Sequence, residues 1–586
     1  MIPVLAGTIR PVHTLQGASV RPSQASAVAV IGQAERWVLR AGVFLLPLAH
    51  TWDTYDGYVL PKLLLARSLV VTLALLLLLR VAASGRLTIR RTPLDWALLA
   101  FVASAALSSV FAVNHNVALF GTYARYDGLF TTLTYAALFW LGVQIIDSRE
   151  EARTVLRVLM ASAYTAALLA IAQVAHDSLT SGAFVAAYGT LGQKNVLGGF
   201  LAMILPVAAF ELIDSRTRTA SVLAGNVCVA VTTALVLTFS RSAWIAAAIA
   251  GLIMAVLIAR SGRARLAAFR LGATALITAA VSLLVLASLV QAGSLSSLRD
   301  DLASAGDRPT VWADSIKLIE SRPILGYGPD NFGLVFPEFQ SERLQQPWDK
   351  AHAEVLQIAA TQGVVGLAAY AAMLLVFVVA FWRGRTHAAA AAVFAGWVAY
   401  QAALQVNFTA LASAFPYWVF AACAFELWGA TSSSHVVAIE RRLRFAPVLP
   451  LGAAAAAVIV TMGIVAPYLA DRDLLSAVVA DYSGHAAAAA PGASTAMTLN
   501  PHESVYAVEV GNLAFERGDW GAAAAAYKEA ADLGTYNPMV YRNLSLADRQ
   551  LGRLGDARVA ARAAYELDRF DPANRALLEQ FIGPIV

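Results

Sequence analysis

The sequence predicts an all-α polytopic membrane protein of about 12–13 transmembrane helices, followed by an α-helical C-terminal domain. Three observations carry that reading. Of 586 residues, 59% are hydrophobic and only 14% charged, against about 25% charged in a soluble domain. The apolar residues gather into thirteen runs, most of them close to the roughly 20 residues that cross a hydrocarbon core of about 30 Å. Beyond Pro467 the runs stop and a 34-residue repeat begins.

In chain order, Met1 to residue 35 holds Pro, Ser, Gln and scattered Arg, without a signal-peptide pattern, and reads as a disordered cytoplasmic tail. The apolar runs follow at 36–52, 60–80, 94–113, 127–147, 153–175, 190–213, 221–239, 242–260, 268–291, 353–382, 388–407, 409–430 and 446–468. They define a transmembrane domain over 36–468, interrupted by one long polar insertion at 292–352. Cytoplasmic loops carry excess Lys and Arg. With the N-terminus inside, the inner loops hold Arg80, Arg86, Arg90 and Arg91; Arg149 to Arg157; Arg216 and Arg218; Arg260 to Arg270; Arg383 and Arg385; and Arg441, Arg442 and Arg444. The short outer connections, 51–59, 113–127, 176–189, the 240–242 turn and 408, hold only Arg125 and Arg241. This alternation places the 292–352 loop and the C-terminus outside the cytoplasmic membrane.

Residues 469–586 read as an extracytoplasmic helical domain. Gly518 and Gly552, Gly521 and Gly555, Ala530 and Ala564, Leu533 and Leu567, and Pro538 and Pro572 are each 34 apart. That period resembles tetratricopeptide repeats, about two and a half units of them, whose stacked hairpins form concave surfaces suited to a protein partner or an acceptor. A plain pair of helical hairpins is the alternative.

Composition excludes several classes. Cys228 and Cys423 both lie in apolar runs, so neither a disulfide framework nor a thiolate site is expected. Neither P-loop nor dinucleotide fingerprint stands out, no nucleic-acid motif is evident, and no His-x-x-His, His-Glu-x-x-His or DxD motif occurs in the outer loops, so no cofactor, metal or nucleic acid is expected.

Chemistry-bearing residues concentrate in the insertion and two outer turns. Arg241, in Thr238-Phe-Ser-Arg-Ser-Ala-Trp244, is costly between apolar runs unless it meets water, a partner or an anion; an interfacial anchor beside Trp244 is the plainer alternative. Asp307-Arg308-Pro309 begins a helix that Asp307 can cap. Its Val311, Trp312, Ser315, Ile316 and Ile319 share a face, as in an amphipathic helix lying on the membrane. Arg308 stands at its N-terminus, where dipole considerations favour an acid, which points to an anionic ligand. Arg322 to Gly333 is dense in Gly and Pro and reads as a compact turn-rich segment containing Tyr327. His352 opens the next apolar run; it is the side chain there able to accept a proton near neutral pH, though a capping role is the commoner fate of such a histidine. Lys194 and Asn195 open the sixth run, and Gly198 and Gly199 allow close helix contact.

In this order, GTLGQKNVLGGFLAMILP, TFSRSAW, RPTVWADSIKLIESRPILGYGPDNF and AHAEVLQIAATQGVVGL resemble the O-antigen ligase and O-antigen polymerase superfamily over roughly residues 185–430. The resemblance implies a membrane glycosyltransferase C-like fold and, without a bound metal, transfer of a glycan from a polyprenyl diphosphate carrier to a hydroxyl acceptor at the outer face of the inner membrane. It implies that Arg241, Arg308 and His352 are catalytic, and that Asn195 contacts substrate. Ala353 departs from the polar residue usual after the histidine. Lys194, Trp312, Arg322 and Tyr327 are the further candidate substrate contacts. The chemistry fits independently: two guanidinium groups can hold a diphosphate leaving group, and a neutral imidazole can deprotonate the acceptor. The acceptor separates three readings, with the ligase leading: a lipid core, a growing glycan in a polymerase, or a Ser/Thr hydroxyl in a protein oligosaccharyltransferase. From other classes, a bicarbonate-like transporter calls for mid-membrane polar groups, which are few here, and a scaffold would use the repeats alone.

Overall fold

Each of the thirteen apolar runs forms a helix. The structure, a computed structural model, describes residues 22–584 apart from 182–183, 260–263, 293–303, 345, 386–387 and 439–447. The first helices are α1 (Pro22–Leu45), α2 (Leu60–Ser84), α3 (Leu94–Val110), a short α4 (His115–Phe120), α5 (Leu129–Ile145) and α6 (Arg149–Ser181). They are followed by α7 (Lys194–Asp214), α8 (Arg218–Leu237), α9 (Arg241–Ala259) and α10 (Ala264–Ala292). The polar insertion supplies α11 (Arg308–Ser321) and α12 (Phe332–Phe339). Next come α13 (Glu354–Gly384), α14 (Ala388–Leu404), α15 (Leu411–Leu427), α16 (Val448–Val460) and α17 (Ala466–Tyr482). Seven helical segments are long and apolar enough to cross a membrane, and five apolar helices are shorter. The chain is thus an all-α polytopic membrane protein, with one small addition: strands β1 (Arg86–Arg91) and β2 (Ser432–Ala438) pair antiparallel.

The helix ends sort into two groups. At one end, Arg36 pairs with Asp147 at 2.7 Å, Arg80 with Glu35 at 3.0 Å, and Arg40 with Glu151. Arg157 and Glu211 join α6 to α7 at the same end, at 3.2 Å. At the other end, Val113 N donates to Tyr327 O, Ala187 N to Leu237 O, and buried Lys62 Nζ to Thr190 O. The basic connections therefore share one end, and the polar insertion shares the other with the turns at 51–59, 112–128, 184–193, 238–240 and 405–410. In the centre, α15 is buried along its whole length and α7 along most of it.

Two predicted boundaries move. The helix read as beginning at residue 36 starts at Pro22; its charges are tolerated because Glu35, Arg36 and Arg40 each find an ion partner on a neighbouring element. Residues 1–21 of the predicted tail lie outside the described residues, as do Arg260, Arg263, Arg441, Arg442 and Arg444. The domain boundary at 468 falls inside a helix. A π-turn at Thr461–Val465 joins α16 to α17, and Pro467 sits in the first turn after it, where its missing N–H breaks no regular bond. The chain turns at Ser483–His485 instead.

The C-terminal helices are α18 (Ala486–Leu499), α19 (Ser504–Glu516), α20 (Trp520–Asp532), α21 (Pro538–Gln550), α22 (Leu554–Leu567) and α23 (Pro572–Ile582). Their starts form two series, 486, 520, 554 and 504, 538, 572, each with a 34-residue step. Small residues make this possible: Ala507, Ala523, Ala530 and Ala547 pack around Tyr527 in the hairpin core.

A break in α13 fixes the site end. Gly363 has φ +65°, and a Cβ there would collide with the Ile324 carbonyl. The Gly/Pro-rich segment lies in the break. Tyr327 N and Gly328 N donate to the carbonyls of Ala360 and Thr361, and Val364 N donates to Pro323 O. The freed backbone groups are satisfied by protein, as a broken helix at membrane depth requires.

Candidate functional site

Arg308 is the first residue of α11, and it leaves its own helix to donate from Nη1 to Val406 O at 2.8 Å in the α14–α15 turn. Asp307 does not cap α11 with its side chain. The buried face of α11 is Val311, Asp314, Ser315 and Leu318, packed against the broken helix, while Ile316 points to the surface. The helix thus lies against protein along this face, and its fixed N-terminus aims Arg308 at the 405–410 turn.

That turn carries Phe408, whose ring stands edge-on to His352 with centroids 5.1 Å apart. Trp348 closes the other side of the imidazole at 5.0 Å. Nδ1 of His352 is buried without a hydrogen-bond partner. Burial first, then the charge of Arg308, with Arg125 and Lys350 adding and Asp349 opposing, pull the His352 pKa down to about 4. The imidazole is therefore neutral near pH 7 and able to accept a proton.

Arg241 begins α9 and is exposed. Its turn is tied by Ser240 Oγ, which donates to Asn195 Oδ1 at 2.8 Å and meets Ser242 Oγ at 2.9 Å. Trp244 Nε1 closes the turn on Leu235 O at 2.9 Å. Gly198 brings α7 against α9, since a Cβ there would lie 2.5 Å from that of Ala243. Arg308 is lowered by burial and then by the neighbouring charge of Arg241. Arg241, Arg308 and His352 thus stand at one end of the bundle, near enough for their charges to act in series, with Asn195 and Lys194 at the first turn of α7 next to the Arg241 turn.

Sequence reasoning missed the rest of the cluster. Arg125 lies with Cζ 5.0 Å over the Phe408 ring and pairs with Asp349 at 2.6 Å. Lys350, only 1% exposed, binds Asp127 at 2.9 Å and Asp330 at 2.6 Å. Asp330 also accepts from Thr122 N at 2.6 Å and Thr122 Oγ1 at 2.9 Å, so it anchors the loop that presents Arg125. Burial opposes the Lys350 charge, but the two carboxylates outweigh it and raise its pKa.

Two further features mark this end. Among the described residues, the non-glycine positions with positive φ are Ala124, Tyr126, Phe239, Asp330 and His352. Two flank Arg125, one lies two residues before Arg241, one holds Lys350, and the last is His352 itself; strained backbone of this kind persists where surrounding structure enforces it. Buried polar atoms without a protein partner also gather here: Gln193 Oε1, Trp312 Nε1, Trp348 Nε1, His352 Nδ1 and Asn407 Oδ1. Such atoms are rare in a native interior and call for an explanation. Trp312 stands one helical turn after Arg308, on the same side.

The structure does not bring Arg322 and Tyr327 into the cluster. They sit past the far end of α11, a 14-residue helix, about 20 Å long at 1.5 Å per residue. Arg322 stacks on Tyr327 at 4.6 Å, and Tyr327, 8% exposed, packs with Val311, Leu318 and Phe332. Their contacts hold the turn-rich segment in the helix break.

One opening adjoins the cluster and another lies deeper in the bundle. One, of about 260 Å³, is lined by Arg125, Asp127, Gln193, Lys350, Phe408 and Thr409 among others. The other, of about 670 Å³, lies between α7, α8, α9 and α10 and is lined almost wholly by apolar and small residues, including Pro206, Val236, Ala247, Gly251 and Leu271. Cys228, which borders it, and Cys423 are both buried and free. Among the described residues, no three His, Cys, Asp or Glu side chains gather as a metal site.

No curated protein matches the chain. Residues 227–371 match the family model described as O-Antigen ligase. That segment contains Arg241, Arg308 and His352, and over it the chain is similar to the O-antigen ligase family.

Proposed function

We propose that this protein transfers a glycan from a polyprenyl (undecaprenyl) diphosphate to a hydroxyl acceptor at the outer face of the cytoplasmic membrane, as an O-antigen ligase does. The observation that supports the proposal is the run of contacts from Arg308 through Val406 and Phe408 to His352, with the Arg241 turn tied to α7 at the same end. Arg241 and Arg308 bind the diphosphate oxygens and stabilise the charge that grows as the anomeric C–O bond breaks. His352 takes the proton of the acceptor hydroxyl while the acceptor oxygen forms the new bond to the anomeric carbon; the diphosphate leaves with the bonding electron pair. Attack opposite the leaving group inverts the anomeric centre.

The depressed His352 pKa has a role in this scheme. Arg308, Arg125 and Lys350 hold the free site's imidazole neutral. A bound diphosphate reverses the local field, raises the imidazole's proton affinity, and so makes it a stronger base when the donor is in place. Arg125 orients the site through Phe408 and Asp349. The 670 Å³ apolar opening runs along α9 beneath Arg241 and suits part of the isoprenoid chain.

The test is glycan transfer in proteoliposomes containing a lipid-diphosphate donor. Arg241→Ala and His352→Ala are expected to fold normally and to lose transfer, the histidine by about 10²–10⁴-fold. Full transfer by either variant removes the proposal. Mass analysis of surface glycans from a deletion strain then separates the three acceptors: free lipid core for a ligase, short chains for a polymerase, bare protein for an oligosaccharyltransferase.

A further inference from the structure

The C-terminal helical domain is docked on the site end. Asn114 Nδ2 donates to Asp532 O at 3.0 Å, and Asn116 Nδ2 donates to His502 O at 2.9 Å and Leu533 O at 3.1 Å. Phe120 stacks on His502 with ring centroids 4.0 Å apart. A side chain at Gly534 would strike Asn114 and Val117, so the close approach depends on that glycine. These contacts leave a cleft of about 390 Å³ between the 116–123 segment and the helical domain, within the range of about 300–1,000 Å³ usual for small-molecule sites.

The lining of the cleft mixes aliphatic residues such as Val505, Val508 and Leu533 with aromatic and uncharged-polar ones, Asn116, Tyr123, His502, Tyr536 and Asn537, and Glu503 also lines it. Glu503 is 6% exposed, and among the described residues neither its carboxyl group nor the Tyr536 hydroxyl makes a hydrogen bond or ion pair. Burial, then the charge of Asp471, push Glu503 up to about 8 against the opposing pull of Arg67, so near neutral pH it is a protonated acid that both donates and accepts. Aromatic faces pack on the C–H faces of pyranose rings, while amide and carboxyl groups bond neighbouring hydroxyls. The lining offers neither the basic cluster that a phosphate needs nor the unpaired strand edge that an extended peptide needs.

One wall of the cleft continues toward the reacting centre. Pro347 lines it, and the next residue, Trp348, packs on His352. Arg308 reaches the same imidazole through Val406 and Phe408.

We infer that the cleft between loop 116–123 and the C-terminal helices is a saccharide-binding subsite that holds sugar residues of the acceptor next to His352. Saccharide binding stands on the cleft alone; assignment to the acceptor rests on the transferase reading above. The experiment uses the full chain in nanodiscs and, as separate probes, the oligosaccharides released by mild acid from the surface glycolipids and from the polyprenyl carriers of the source cells. Saturation-transfer NMR is expected to mark sugar ring protons with the wild type and with Arg241→Ala. Tyr536→Ala is expected to weaken binding by about ten-fold, the upper range for loss of one aromatic contact, and Glu503→Leu, which can neither donate nor accept, by a similar factor. In the transfer assay, Tyr536→Ala raises the KM for acceptor and leaves the KM for donor unchanged.

No saccharide binding by the wild type, undiminished binding by both variants, or displacement of the sugars by Ser/Thr peptides would each overturn the inference. A raised KM for donor alone would overturn the assignment to the acceptor. Saccharide binding without any transfer by the wild type would leave the cleft standing and remove the transferase reading.

Discussion

Lys350→Met should destabilise the site more than any change at the catalytic residues themselves. Lys350 is 1% exposed and lies 2.6 Å from Asp330, whose side chain is 2% exposed, and 2.9 Å from Asp127, which is 28% exposed. Methionine keeps the length and removes the charge. Deleting one partner of a buried ion pair costs about 3–5 kcal/mol because the remaining charge is left uncompensated. The low end applies here. Asp127 reaches water and can protonate, and Asp330 keeps its two bonds from Thr122. About 3 kcal/mol lost from the native state alone accelerates unfolding by about two orders of magnitude. The assay is the rate of irreversible thermal unfolding in detergent, followed by intrinsic fluorescence, since such a protein is compared by rate rather than by equilibrium. Adding Asp330→Asn removes one stranded carboxylate and should restore part of the loss, about 1–2 kcal/mol. A Lys350→Met protein that unfolds within threefold of the wild-type rate would refute the network, as would a double variant less stable than the single one.

Other expectations follow from the same geometry. The acidic limb of kcat/KM, which reports the free enzyme, should lie near pH 4, and the limb of kcat should lie higher because the bound diphosphate favours the imidazolium; a kcat/KM limb at pH 6.5 or above contradicts the burial of His352 among cations. For the same reason the unfolded chain binds that proton first, so stability falls as pH drops from about 6.5 toward 4, and Arg308→Gln should narrow the window by raising the folded-state value. Arg322→Ala should leave transfer within about threefold of wild type while Arg308→Ala loses about 10²-fold or more; equal losses would mean that the far end of α11 also meets substrate. Gly251→Phe should fill the apolar opening without overpacking, since an added Cβ meets nothing within 4 Å, and should raise the KM for long-chain donors but not for donors with a short isoprenoid; equal effects on both would place the chain elsewhere.

The membrane helices were legible because burial in lipid writes itself into long apolar runs, and the division of loop ends was legible because arginine avoids one side. The 34-residue step was legible because the repeat needs small residues at fixed helix contacts. Arg241 stood out as an arginine on the side that should lack it. Arg125 carried the same signal and was passed over, since nothing local linked it to a motif; its partners Phe408 and Asp349 lie more than 220 positions away. Lys350, Asp127 and Asp330 were equally hidden, because a salt-bridge network shows only when three loops are folded together. Arg322 and Tyr327, expected as substrate contacts, are separated from Arg308 by the length of α11, a spacing that the Gly/Pro-dense segment does not disclose. Pro467 read as a break because the sequence gives no sign of the π-turn that accommodates it.

The most direct test of the account is an electron cryo-microscopy map of the protein in nanodiscs with undecaprenyl diphosphate bound. The account predicts diphosphate density bridging the guanidinium groups of Arg241 and Arg308, with His352 beside it and the isoprenoid leading into the opening between α7 and α10. Diphosphate density at the basic end of the bundle, or beside Arg322 with Arg241 and Arg308 untouched, would contradict it.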